Sequence, residues 1–325
     1  DYEVIIKSPG ISDLETPIIN AKSAGREITS ITNMFLAVYG AQTIGVTGTK
    51  GKSTTASLIY GILKAAGKKV FLIGNIGFDP LEHLTAKFEA NKIFVYELSS
   101  YQLSSANSSP HVSVFINIFP DHLPYHQGFN NYFKAKTNIS NFQDKNDVLI
   151  YNSEYASIKK LAANTKAKTV SYLKECSIQN DNIYYHKEKI IALSEINLLG
   201  NHNVKNIMAA ICVAKQYKIA NNDIKKALAK FVNLEHRLQF VGQFKDISFY
   251  DDAISTTPES TLVALEVFKE KIGTIILGGE DRGYKFSALA KRLAELQIEN
   301  FVFFPDSGES IAKEIKLAYQ KKKLT

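Results

Sequence analysis

The chain has 325 residues, of which 45% are hydrophobic and 22% charged, with a formal net charge of +7. That length exceeds what one core ordinarily organises, so two or more domains are expected, and no apolar run approaches the roughly 18 residues of a membrane-crossing helix. The positive excess is largely dispersed lysine, including Lys321-Lys322-Lys323, without the interleaved basic and aromatic residues of an RNA-binding sheet, so no nucleic-acid partner is expected.

The chain opens without Met on Asp1-Tyr2-Glu3, which lacks the parts of a signal peptide, and the cytoplasm is the expected compartment. The strand-like Val4-Ile5-Ile6 followed by Ser8-Pro9-Gly10 reads as entry in mid-domain, with an incomplete N-terminus. From Thr43 short apolar runs alternate with helical patterns, which predicts a parallel sheet flanked by helices and an α/β class. The predicted strands are Thr43 to Thr47, Lys69 to Ile73, Lys92 to Glu97, Val112 to Asn117 and Asp147 to Tyr151, rich in β-branched and aromatic residues. Ligands of such sheets sit beyond the carboxyl ends of the strands, where Thr47, Glu97 and Asn117 would converge.

Asn152 to Ser194 is less regular, with strand-like runs at Thr169 to Leu173 and Ile183 to His186, and reads as an elaboration of the sheet edge. Cys176 and Cys212 have no Cys-x-x-Cys or His-rich company and are expected to be packed thiols, with neither a disulfide framework nor a zinc site. Helices are predicted over Asn203 to Tyr217 and Asn222 to Lys230, and a boundary near Leu234. Beyond it, strands at Ile247 to Asp251 and Gly273 to Leu277 around a helix from Pro258 to Lys269 predict a second α/β unit.

The strand ending at Thr47 runs through Gly48-Thr49-Lys50-Gly51-Lys52-Ser53-Thr54-Thr55 into a helix predicted over Ala56 to Ala66. Strand, glycine-rich loop and helix in that order form a phosphate cradle. Glycines let backbone N–H groups approach phosphate oxygens, the helix N-terminus adds partial positive charge, Lys52 adds a full one, and Ser53 stands where a hydroxyl ligates Mg²⁺. The strict eight-residue spacing is not met, because Val46 stands at the place of the first glycine.

The stretch Gly45 to Thr54 resembles the ATP loop of the Mur ligases and their folylpolyglutamate synthetase relatives. Gly74-Asn75-Ile76-Gly77, Glu97-Leu98-Ser99-Ser100-Tyr101-Gln102-Leu103, Asn117 to His126 and Gly200-Asn201-His202-Asn203-Val204-Lys205-Asn206 follow in the family's order. The Glu-Leu-Ser-Ser-Tyr-Gln-Leu stretch is most similar to the branch of the family that adds D-glutamate. The resemblance implies an end of a UDP-substrate-binding domain and linker at 1–39, a central P-loop ATPase domain at 40–234, and an incomplete, Rossmann-like ligase domain at 235–325. It implies ATP and Mg²⁺ as cofactors, and phosphoryl transfer to a carboxylate, followed by attack of an amine on the acyl phosphate. The implied substrates are UDP-N-acetylmuramoyl-L-alanine and D-glutamate, used by a monomer in peptidoglycan precursor synthesis.

By the same resemblance, Lys52, Glu97, His122 and Lys136 are the catalytic candidates. Gly48, Thr49, Lys50, Gly51, Lys52, Ser53, Thr54, Asn203, Asn206, Arg237 and Asp252 would hold the nucleotide. Ser53, Glu97, His122 and Lys136 would serve the metal, with Lys136 at the position the family carbamylates. Ser8, Pro9, Gly10, Asn75, Ser99, His236, Thr256 and Arg282 would meet the substrates. Without the family, Glu97 reads as a helix cap, Asn203 as another, His126 as structural, and Lys136 as an exposed helix lysine beside Lys134.

Pro124 stands where the family usually has an acid, Ile254 where it has a lysine, and Arg282 near a lysine that holds the D-glutamate carboxylate. The chain ends at Thr325, before the family's Ser-Pro-Ala-type segment. Another Mur or folylpolyglutamate-type ligase, and a truncated or degenerate nucleotide-binding module without ligase activity, are the alternatives.

Overall fold

Near-continuous apolar runs make strands that bury both faces, and the computed structural model builds six of them into one parallel sheet. It describes residues 2–84, 87–268, 271–296 and 298–323, so that Lys269 at the end of a predicted helix, Thr325 and the side chains of Lys321 to Lys323 lie outside the described residues. The sheet order is Val70–Gly74, Ile93–Glu97, Thr43–Thr47, Val112–Phe115, Val148–Tyr151, Lys168–Ser171. The phosphate-loop strand Thr43–Thr47 is therefore central, with Glu97 and Phe115 ending its two neighbours.

The alternation assigns each face its own core. Ile44, Val46, Val95, Val114 and Ile150 pack beneath the helices Lys52–Ala65 and Asn201–Gln216. Phe94, Tyr96, Phe115 and Leu149 face the other way, with Phe35, Tyr39 and Tyr132. The helix after the loop begins four residues earlier than its apolar periodicity indicates, because Ser53, Thr54 and Thr55 wind into its buried first turn.

Before the sheet, Val4–Ile6 and Glu27–Thr29 pair in parallel around the helix Thr16–Ser23. After it, the irregular stretch splits in two. Lys168–Ser171 becomes the sixth strand, whereas Cys176–Gln179, Asn182–Tyr185 and Glu188–Ala192 form a separate antiparallel sheet. Its first turn is Asn180-Asp181, both at positive φ (47° and 56°), the backbone of a tight hairpin. Cys176 and Cys212 lie with sulfurs 3.8 Å apart, buried and reduced.

Residues 1–231 and 232–325 are two compact units. In the second, Gln239–Phe244 and Ile247–Asp251 form an antiparallel hairpin, and Thr274–Gly278 pairs in parallel with Asn300–Phe304. Helices Pro258–Phe268, Ser287–Glu295 and Ser307–Lys323 accompany them, around a core that includes Leu265, Leu289, Leu293 and Ile311. Among the described residues no helix is long and apolar enough to cross a membrane.

Candidate active site

The phosphate loop is held open by Asn117, two residues past the end of its strand. Its Oδ1 accepts from the N–H groups of Thr49 (2.8 Å) and Lys50 (3.1 Å), and its Nδ2 donates to Lys50 O at 2.8 Å. The Thr49 hydroxyl donates to Phe119 O (3.0 Å) and accepts from Phe119 N (3.1 Å) and Tyr132 Oη (3.0 Å). These bonds make Asn117 a clamp on the loop. Asn117→Ala should cost about 2 kcal/mol, the ordinary penalty for stranding buried backbone groups, and should weaken nucleotide binding; denaturant unfolding and nucleotide titration read the two effects.

Gly51 begins the helix at φ 85°, a left-handed conformation, and Lys52 Nζ donates to Thr49 O at 3.0 Å. At Gly48 the constraint is space: a Cβ there would sit 2.4 Å from Ile116 Cγ1. Gly48→Ala must therefore shift either the loop or a fully packed core residue. Loss of nucleotide affinity by about tenfold or more is expected, and calorimetric titration against the wild type checks it.

Lys136, near the end of the helix Phe129–Thr137, is buried rather than exposed. Its Nζ donates to Gly48 O (2.7 Å) and Thr47 Oγ1 (3.3 Å) and lies 5.0 Å from the Tyr132 ring centre. Burial, reinforced by the charge of Lys52, holds its pKa well below the usual lysine range, while Asp121 and Glu97 pull the other way. Glu97 closes its strand with 3% exposure, and its Oε2 is buried without a hydrogen-bond partner among the described residues. It caps no helix; that work falls to Ser99, whose side chain accepts from Gln102 N while Gln102 Oε1 accepts from Ser99 N. Ser99 is thus committed to a capping box.

His122 sits at φ 53° with its side chain 47% exposed, 3.6 Å from Asp121 Oδ2 and 5.0 Å from the Tyr101 ring. Desolvation lowers its pKa, and Asp121 opposes the shift. Lys50 Nζ is 3.6 Å from the same Asp121 oxygen. Pro124 lies in the first turn of the short helix Leu123–His126, where a missing N–H leaves no bond unmade and a fixed φ is already helical. The departure from the acidic residue thus leaves the backbone of the turn intact.

Asn203 and Asn206 occupy the buried first turns of Asn201–Gln216, which is capped by Gly200 and not by Asn203. Asn203 Nδ2 donates to Leu199 O (2.7 Å), and Asn206 Nδ2 donates to Asn203 Oδ1 (3.1 Å). A Cβ on Gly51 would be 3.0 Å from Asn206 Oδ1, so this pair borders the phosphate loop directly. Asn75 is exposed beyond its strand. Pro9 O accepts from Tyr125 Oη at 2.9 Å, which ties the Ser8-Pro9-Gly10 turn to the His122 segment.

The remaining candidates belong to the second unit. His236 Nδ1 bonds Asp251 Oδ2 at 2.6 Å, and that bond raises the histidine's pKa and lowers the aspartate's. Asp252 accepts from Leu238 N (3.0 Å) and Ser255 Oγ (2.5 Å), and its burial raises its pKa. Arg237 is half-buried, Thr256 and Ile254 are exposed, and Arg282 Nε contacts Glu280 at 2.9 Å.

Mg²⁺ takes few protein ligands and keeps phosphate and water oxygens for the rest. A buried carboxylate oxygen at Glu97 without a hydrogen-bond partner among the described residues, with Ser53 in the first turn of the loop helix, fits that demand. Among the described residues no three of His, Cys, Asp and Glu gather as a full cage. Sequence reasoning missed Tyr132, Thr49's hydroxyl network and the His126 contact to Ser100 at 2.9 Å, because each joins segments distant in the chain.

The Mur ligase middle domain matches residues 46–214. The UDP-N-acetylmuramoylalanine–D-glutamate ligase of Streptococcus pyogenes serotype M5 (strain Manfredo) is 36% identical over 321 residues, which cover 96% of this chain and 70% of that protein. The enzyme of the same name from serotype M49 (strain NZ131) agrees equally. Among solved structures, MurF from Acinetobacter baumannii superposes with a TM-score of 0.69 at 20% identity, covering 96% of this chain and 79% of that one. UDP-N-acetylmuramate-alanine ligase MurC from Thermotoga maritima does so with 0.64 at 22%, covering 97% and 74%. Those identities speak for the fold alone, whereas the matched domain and the 36% relatives cover the loop, the Glu97 strand and the Lys136 helix together: the chain belongs to the Mur ligase family and is an enzyme of that family.

Proposed function

We infer that the chain joins D-glutamate to UDP-N-acetylmuramoyl-L-alanine at the expense of ATP, in the cytoplasmic synthesis of peptidoglycan precursors. The observation that carries the reading is the gathering of Lys52, Glu97 and buried Lys136 around one phosphate loop, in a chain 36% identical to ligases of that name.

A carboxylate and a triphosphate repel each other, so the first task of the site is to hold both. The loop N–H groups and Lys52 take the phosphates, and Asn203 and Asn206, beside Gly51, are assigned to the adenine. Ser53 and Glu97 would hold one Mg²⁺, and His122 with Lys136 a second; bound there, the metal neutralises charge between phosphate and carboxylate. Lys136 serves this best as a carbamate. Its desolvated amine is biased towards the neutral form, whose nitrogen adds to the carbon of CO₂ and releases a proton, turning a buried cation into an anionic oxygen donor. The γ-phosphoryl passes to the substrate carboxylate, and the D-glutamate amine then displaces phosphate from the acyl carbon. Arg237, Asp252, Thr256, His236 and Arg282 are assigned to nucleotide and amino acid from the second unit.

Phosphate release with UDP-N-acetylmuramoyl-L-alanine, compared across D-glutamate, L-glutamate, L-lysine, glycine and no amine, tests the assignment. Release that requires D-glutamate is the expected result. Release with another amine alone moves the chain to another branch of the family, and nucleotide binding without turnover leaves a binding module.

A further inference from the structure

We propose that His126 is a positioning residue for the ligase reaction, its bond to Ser100 fixing the turn that carries His122 against the helix that follows Glu97. The proposal rests on the function inferred above. It concerns two candidate metal-ligating residues, Glu97 at the end of one strand and His122 on the segment that follows another.

His122 has little to hold its own side chain. It is half-exposed, 3.6 Å from Asp121 and 5.0 Å from the Tyr101 ring. Such contacts do not set an imidazole to the few tenths of an ångström that a metal site requires, so its precision must come from the backbone. That backbone is bracketed by two residues in the left-handed region, His122 and Gln127, both at φ 53°. Each costs about 1–2 kcal/mol outside glycine and persists only where the surroundings impose it.

His126 is what imposes it. It is 6% exposed, its N–H donates to His122 O at 3.3 Å, and its ring lies 4.8, 5.3 and 5.7 Å from the rings of Tyr125, Tyr132 and Tyr101. Its Nε2 and Ser100 Oγ are 2.9 Å apart, joined by a bond in which either group donates. Ser100 in turn is 2% exposed and opens the helix Ser100–Ser104, whose cap at Ser99 makes the connection from Glu97 rigid. Three residues lead from Glu97 to Ser100 and four from His122 to His126. The bond therefore closes a short bridge between the two ligand positions. No metal contact is assigned to His126 itself.

The test uses the full chain with His126→Phe, Ser100→Ala, the double variant, and His126→Gln, whose amide nitrogen restores a donor. Phe is chosen over Ala because His126 borders a cavity of about 310 Å³ that truncation would enlarge. Mn²⁺ binding to the ATP complex is followed by paramagnetic resonance, beside metal-free ADP binding, thermal unfolding and the Mg²⁺ dependence of phosphate release. Outer-shell partners of a metal site typically alter affinity by about 10–100-fold. His126→Phe and Ser100→Ala are each expected to weaken Mn²⁺ binding by about tenfold, with metal-free ADP binding unchanged. The double variant should lose no more than either single, and His126→Gln should recover most of the loss. Unchanged Mn²⁺ affinity in Ser100→Ala, or additive losses in the double variant, overturns the proposal even if stability falls. A wild type that releases no phosphate with any amine refutes the inferred function instead, and leaves the Mn²⁺ comparison readable.

Discussion

Replacing Lys136 by methionine is expected to end turnover while making the protein more stable. The side-chain amine is buried, it makes two hydrogen bonds, to Gly48 O and Thr47 Oγ1, and desolvation holds its pKa well below the ordinary 10.5. Replacing buried ionic groups by well-packed apolar ones of similar volume is neutral to stabilising by about 1–4 kcal/mol, and the stranded Gly48 O takes back about 1–2 kcal/mol of that. A net gain of about 1–2 kcal/mol is expected, visible as a few degrees in melting temperature.

The sign of the pH dependence gives a second reading of the same residue. Between the depressed folded pKa and 10.5 the unfolded chain binds a proton that the folded chain does not, so wild-type stability rises with pH across that window. In Lys136→Met that slope disappears. Phosphate release should fall by a factor of about 10³, as expected when a charge-stabilising group of the site is removed. Wild-type activity should decline in CO₂-depleted buffer and return with bicarbonate. Turnover above a tenth of wild type in the Met variant would remove Lys136 from the machinery.

Glu97→Gln is expected to be nearly as severe for activity and again not to harm the fold. Oε2 of Glu97 is buried with no hydrogen-bond partner among the described residues, so the fold gains no hydrogen bond from that oxygen. The amide keeps the shape and loses the anion, and with it the hard oxygen donor that Mg²⁺ prefers. A loss of about 10²–10³ in kcat/KM is expected, with ADP binding intact in chelator and the affinity gain from Mg²⁺ abolished. Titration of ADP with and without Mg²⁺ separates this from general damage. An undiminished Mg²⁺ gain would show that Glu97 serves the fold alone.

Much of the centre was legible in the chain. Thr43 to Thr47 was bounded to the residue, and the neighbouring strands to within one or two, because a sheet buried on both faces writes its strands as apolar runs between turns. The loop glycines and Lys52 were equally plain, since phosphate cradling is a local property of one strand, one loop and one helix. The hairpins at Asn180-Asp181 and Lys245-Asp246 were not read as such, although Asn180, Asp181 and Asp246 are of the types that tolerate positive φ.

Lys136 shows where local reasoning ends. Next to Lys134 it looks like a surface lysine, and only the packing of Phe129–Thr137 beneath the phosphate loop buries it against Gly48 O. Asn117, Tyr132 and the His126–Ser100 bond are of the same kind, joining residues 68, 83 and 26 positions apart. The sequence by itself determined the α/β class, the strand order's raw material and the chemistry of the loop, because periodicity and turn residues act over a few neighbours. Only the tertiary structure decided which amine is desolvated, which carboxylate oxygen is left without a partner and which histidine anchors the turn, because burial and hydrogen-bond pairing depend on segments that meet only when the sheet has closed.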